Sequence, residues 1–275
     1  MRKYTSAARM PLWKWILCLL GGLLVFTLLY AFASAGVIAI PIPWLRMSAS
    51  VLAGLLGLFF YAVWTNLTER RPVSELALKR TWKDLGVGLL TGLLFFGAVT
   101  GLMALAGSYS ITEAHFHLLP QLVSFLFFFM VATFEEIIFR GVLFRMVDDR
   151  WNTPVALIVS ALVFGAMHLP NPGATLWSSF AIAVEAGLLL GAAYKYSGTL
   201  WMPIGIHWAW NYTQGNVLGF AVSGNPVADK IFSPVITGPD WITGGVFGAE
   251  ASVPAVVIGL LLTVVLLFNC KRDVR

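Results

Sequence analysis

Apolar segments of roughly twenty residues recur from one end of this chain to the other, the length a helix needs to cross a bilayer. They fall at about 15–35, 46–65, 85–107, 118–147, 154–169, 175–196, 199–221 and 252–270 of the 275 residues. Only 11% of the residues are charged and 59% are hydrophobic, whereas a soluble domain of this length is about a quarter charged. The expectation is an all-α polytopic membrane protein, a bundle of about eight transmembrane helices forming a single domain over 1–275. The basic residues before the first run and the "ASA" at 33–35 resemble a leader peptide. The run from Ile16 is too long for an ordinary leader, so it is read as an uncleaved first span.

In such a protein the net charge of +5 sets orientation rather than marking a nucleic-acid surface, so no nucleic-acid partner is expected. With the N-terminus inside, the inner side receives Arg2, Lys3, Arg9, Lys14, the five cations between Arg70 and Lys83, Arg140, Arg145, Arg150, Lys195, Lys271, Arg272 and Arg275. That is 16 of 18, leaving Arg46 and Lys230 outside. The asymmetry predicts both termini on the cytoplasmic side, and the short loops point to a multi-pass protein of a bacterial cell membrane. The Gly- and Pro-rich stretch 222–251 reads as an outer loop. Small-residue pairs at Gly88/Gly92, Gly97/Gly101 and Gly187/Gly191 suit close helix contact. Cys18 and Cys270 lie in predicted spans and form no disulfide framework. Trp13, Trp15, Trp44 and Trp201 suit interfacial belts, while Trp208 and Trp210 lie closer to the polar residues of the spans.

Within the spans, the ionisable groups stand out: Glu135, Glu136, Arg140, His168, Glu185 and His207, with Asn211 beside them. Burying a charge at the bilayer centre costs about 2.5–3.5 kcal/mol on insertion scales, so such groups are usually paired and functional. In "FEEIIFRG" (134–141) Glu136 and Arg140 are one turn apart and can pair. Glu135 points about 100° away from them. His207 and Asn211 in "HWAWN" share a face, as do Phe164 and His168 in "FGAMH". Helical rise places Glu135 and His168 about 20 Å, and His207 about 12 Å, from the same side of the membrane. One carboxylate and two imidazoles at a shared depth could activate water, the carboxylate as base and the histidines orienting it. Alternatively Glu135, His168 and His207 could ligate zinc. The H-E-x-x-H helix of the common zinc proteases is missing, and Glu185 could either support the site or line its cavity.

"EEIIFR" (135–140), "FGAMH" (164–168) and "HWAWN" (207–211) resemble, in order, the E-E-x-x-x-R, F-x-x-x-H and H-x-x-x-N motifs of the CPBP family. These are the CAAX proteases and bacteriocin-processing enzymes, also called the Abi family. The resemblance spans about 118–215, which makes that segment the expected peptidase core; residues 1–117 supply N-terminal spans and a cytoplasmic loop. It implies an intramembrane endopeptidase in which Glu135 activates water and His168 and His207 contact the water or the substrate carbonyl. Asn211 assists, and Glu136 with Arg140 holds the helix in place. The family is described both as metal-dependent and as metal-free, so no cofactor is fixed and zinc stays open. The expected partners are membrane lipid and a peptide or protein substrate entering from the bilayer or the cytoplasmic face. The rival readings are a proton- or substrate-coupled transporter and a non-catalytic immunity or scaffold protein.

Overall fold

The computed structural model describes residues 6–270. Arg2, Lys3, Lys271, Arg272 and Arg275, which entered the orientation count, lie outside the described residues. Eight principal helices occupy the expected positions. We number them α1 (Leu12–Ile38), α2 (Pro43–Glu69), α3 (Thr81–Leu105), α4 (Leu118–Arg150), α5 (Thr153–Met167), α6 (Leu176–Ser197), α7 (Trp201–Val217) and α8 (Val253–Phe268). Among the described residues, five helical stretches are long and apolar enough to cross a membrane: α1, α2, the stretch ending in α3 (Ser74–Leu105), α4 and α6. The helices α5 and α8 are apolar but shorter.

The starts of several helices are written locally. Asn152 and Ser252 accept hydrogen bonds from the third residue beyond them, and Thr175 forms a reciprocal cap with Ser178. Proline punctuates the far end of α5: Pro170 and Pro172 follow at once, and the helix stops at Met167. His168, expected inside that span, therefore sits just past its last helical residue.

Helix packing in lipid relies on close fit and small residues rather than on water exclusion. Two of the three glycine pairs serve it. A Cβ at Gly88 or Gly92 of α3 would strike the α7 backbone at Met202 and Ile206. One at Gly187 or Gly191 of α6 would crowd Ala161 or Leu157 of α5. Gly97 and Gly101 face open space, so that spacing match has no packing partner. The α3–α7 contact fixes the helix that carries His207 and Asn211.

The two ends of the bundle differ. At one end Glu69 of α2 binds Arg145 of α4, Arg145 also bonds the Gly141 carbonyl, and Arg71 grips Glu75 at 2.5 Å. Tyr61 joins the cluster through Glu75 and the Gly141 carbonyl. Lys195 pairs with Asp148 at 3.0 Å, and Thr199 bonds Asp84 at 2.9 Å. Burial opposes the charge on Arg71, but the hydrogen bonds and charge of Glu75 outweigh it and raise its pKa above the ordinary arginine value. Ten described cations gather at this end: Arg9, Lys14, Arg70, Arg71, Lys79, Arg80, Lys83, Arg145, Arg150 and Lys195. Arg140, counted above with the inner loops, is instead fully buried in the core.

At the opposite end the described cations are Arg46 and Lys230. There Tyr109–Ala114 (β1) pairs antiparallel with Phe232–Ile236 (β2), an ordered ribbon where the sequence suggested plain outer loops. Gln121 bonds the Asp229 carbonyl and Trp177 the Ala251 carbonyl, tying the 222–251 segment onto the helices, while Tyr109 ties β1 to the Leu218 carbonyl just past α7. Trp13 and Trp44 are exposed as a belt requires. Trp15 is buried, donates to the Met146 carbonyl and packs edge-on against Trp151, so it belongs to the core rather than to a belt.

Candidate functional site

The helix α4 carries both glutamates at a change of winding. Its α-helical part ends at Glu136, and a wider π-helical stretch, Ile137–Phe144, follows. A second such stretch, Ala183–Leu188, interrupts α6, and a third, Thr213–Val217, ends α7. Widened turns free main-chain carbonyls and cluster at functional sites. Arg140 uses those of α6: its Nη2 donates to the carbonyls of Ala186 (3.3 Å) and Gly187 (3.1 Å), while Nη1 donates to Glu136 Oε1 at 2.9 Å. The guanidinium lies 4.8 Å from the centre of the Phe164 ring. Both partners of this pair are completely buried.

Glu136 Oε1 also accepts from His207 Nδ1 at 2.9 Å. A carboxylate has no proton to give here, so Nδ1 carries the hydrogen and Nε2 is turned the other way. That nitrogen lies 3.8 Å from Glu135 Oε2, too far for a direct hydrogen bond and close enough for one small molecule to touch both. His168 repeats the arrangement: its Nδ1 bonds the Phe164 carbonyl at 2.7 Å, which leaves Nε2 free. The Phe164 ring packs near both imidazoles, 4.7 Å from that of His168 and 6.2 Å from that of His207.

Glu135, His168, His207 and Asn211 line one cavity of about 700 Å³. Glu136 and Arg140 do not line it; they stand behind it and orient His207. The adjacent glutamates are thus divided by helix geometry, one facing the cavity and the other the core. Glu185 lines neither this cavity nor the smaller one beside it. It is fully buried on α6, with no hydrogen-bond partner for either oxygen. His115 and His117 are exposed on and beside the ribbon, where His115 approaches Glu113 at 3.3 Å.

Sequence reasoning missed two residues. Tyr30, in the middle of α1, donates to Glu135 Oε1 at 3.1 Å and lines the cavity. A tyrosine at mid-span needs a polar partner, which was the available signal. Glu250, in the 222–251 segment, is 3% exposed. It accepts from Trp210 Nε1 at 3.2 Å and from the Ser223 amide at 2.6 Å, holding Ser223 at a left-handed φ of 47°. With His168, His207 and Asn211 it encloses a second cavity of about 10 Å³, the size of a single water-sized sphere.

Zinc with an open coordination position needs three protein donors within bonding reach. Among the described residues no three His, Cys, Asp or Glu side chains gather in that way. Both Nδ1 atoms are engaged, with Glu136 and the Phe164 carbonyl, which leaves the Nε2 atoms as the only nitrogens that could reach a metal. The donor set as arranged does not fit a three-ligand centre.

Residues 115–213 match the family of type II CAAX prenyl endopeptidases described as Rce1-like. The uncharacterized protein YpbD of Bacillus subtilis (strain 168) is 31% identical over 78 residues, 28% of this chain and 36% of that relative. The match thus spans only about a third of YpbD's length. No solved structure matches the chain. All three motifs lie inside the matched segment, and Glu135, His168, His207 and Asn211 meet around one cavity, so the likeness to the CPBP family rests on residues 115–213.

Proposed function

We propose that this protein is an intramembrane endopeptidase that hydrolyses a peptide bond with water activated by Glu135. The observation that carries the reading is the 3.8 Å gap between Glu135 Oε2 and His207 Nε2 on the wall of the large cavity. A water in that gap lies against a carboxylate able to take its proton and an imidazole able to fix its orientation. Tyr30 holds the other carboxylate oxygen, so Oε2 is the one left for the proton.

In this reaction Glu135 removes a proton from water as the oxygen attacks the peptide carbonyl. The negative charge moves to the carbonyl oxygen, where the Asn211 side-chain amide donates a hydrogen bond to it; His168 Nε2, whose ring hydrogen sits on Nδ1, lines the same cavity as an acceptor. The carbon–nitrogen bond then breaks, and protonated Glu135 returns the proton to the leaving amine, giving a carboxylate and an amine. Positioned bases contribute about 10²–10⁴-fold and each oxyanion donor about 10²–10³-fold. Glu136, its charge balanced by Arg140, keeps His207 in the tautomer that presents Nε2. Each step of this reaction is carried by the chain's own residues.

Reconstitution tests this reading. Proteoliposomes containing the protein and a reporter peptide with one apolar span should show cleavage that survives exhaustive chelation with no stoichiometric metal bound. Activity lost on chelation and restored by zinc would replace this mechanism with a zinc-assisted one. Proton-coupled flux without cleavage would replace the peptidase with a transporter.

A further inference from the structure

The cavity is one-sided. It begins near the middle of α1 and α4 and continues to Ile38, Arg46 and the 222–227 loop, all at the end of the bundle that bears the β1–β2 ribbon. Nothing from the cation-rich end lines it. That end is closed by the Glu69–Arg145 and Arg71–Glu75 pairs, whose side chains are at most 10% exposed. Ten described cations lie there and two at the mouth. In short loops this asymmetry marks the cytoplasmic side.

The mouth also opens sideways. Val163 and Met167 of α5 line the cavity and yet are 37% and 54% exposed on the helix surface. Across the opening stands α1, which scarcely touches α5. Half of the lining is apolar, Phe127, Val131, Val163 and Met167 among it, and beside its hydroxyl, amide and imidazole groups the charged side chains are Glu135 and Arg46, a mixture that suits an extended hydrophobic stretch leaving the lipid with its peptide groups to satisfy.

We infer that the substrate reaches Glu135 from the non-cytoplasmic side, entering between α1 and α5 as an apolar polypeptide segment in the outer leaflet. The substrates are therefore chains that have already crossed the membrane or been inserted in it, cut close to the outer surface. Of the two routes expected from the sequence, the bilayer and the cytoplasmic face, the second would have to pass through the ion-paired end. This inference rests on the peptidase reading for its substrate and on the charge asymmetry for its direction.

Cysteine accessibility tests the direction independently of cleavage. In a full-length background carrying Cys18→Ser and Cys270→Ser, single cysteines replace Asn225 at the mouth, Thr27 inside the cavity and Lys79 at the cation-rich end. A membrane-impermeant thiol reagent should modify the Asn225 and Thr27 variants in spheroplasts and leave them unmodified in inverted vesicles. The Lys79 variant should show the reverse. Labelling of the Asn225 variant only in inverted vesicles would overturn the inference, whether or not cleavage is observed. A reporter peptide with its cleavable stretch on the outer side should be cut, and its mirror image should not; the opposite preference would also overturn it. Outward labelling with no cleavage of either reporter would uphold the direction of access and defeat the peptidase reading.

Discussion

The two ends of the bundle handle charge in opposite ways. At the cation-rich end, carboxylates and guanidiniums are spent on one another: buried Arg145 of α4 pairs with Glu69 at the end of α2 and with Glu75 in the turn that follows it. At the mouth, loops are held mainly by hydrogen bonds to main-chain carbonyls, as Asn171 holds Ser223 and Gln121 holds Asp229. Buried ion pairs resist opening, because separating one strands a charge in a poor solvent. Hydrogen bonds at a rim can be exchanged for water at little cost. The helices are thus locked at one end and left apart at the other, with Glu135 at the junction.

The largest expected effect breaks the lock. Arg145→Gln removes the cation that Glu69 and Glu75 share across the bundle, leaving Arg71 alone to balance both, and should lower stability by about 3–5 kcal/mol, read as a lower unfolding temperature in detergent. The matching change at the mouth, Arg46→Gln, replaces hydrogen bonds to the Ile38 and Ile40 carbonyls and should cost about 1 kcal/mol. Equal losses in the two variants would erase the distinction drawn between the ends.

A smaller effect tests how α7 is held. Gly88→Ala should cost about 1–3 kcal/mol and reduce cleavage, since the new methyl group pushes α7 away from α3. Gly97→Ala, facing open space, should stay within about 0.5 kcal/mol of the parent protein. Thermal unfolding of the two variants side by side decides it, and a costly Gly97→Ala would show that the helix contacts are misassigned.

The smallest effect concerns the base itself. Tyr30→Phe removes one hydrogen bond from Glu135 and should slow cleavage about tenfold, or ~1.4 kcal/mol. Its unfolding temperature should be unchanged, so that the loss is read in the cleavage rate alone.

Much of this was legible in the sequence because lipid makes charge expensive. Apolar run lengths located the principal helices, five of them long and apolar enough to cross a membrane among the described residues, and one-turn spacing paired Glu136 with Arg140 and turned Glu135 away from them. The spacing rule could not reveal that Glu136 also orients His207, since that bond links residues 71 apart in the chain. Nor could it place Tyr30, which reaches Glu135 from a helix 105 residues earlier and outside the segment matched by the family. The β1–β2 ribbon was hidden because short edge pairings leave little pattern beside long apolar runs. The Gly97/Gly101 match shows the converse: a packing motif in sequence requires a partner helix that only the fold supplies.

The division of labour between adjacent glutamates is the centre of this account, and one comparison addresses it directly. Cleavage of a reconstituted reporter peptide is measured for Glu135→Gln and Glu136→Gln, with the unfolding temperature of each. Glu135→Gln should abolish cleavage at an unchanged unfolding temperature, because it loses a base and no structural pair. Glu136→Gln should lower both, because it uncouples Arg140 and His207 together. Cleavage at the parent rate by Glu135→Gln would contradict the account.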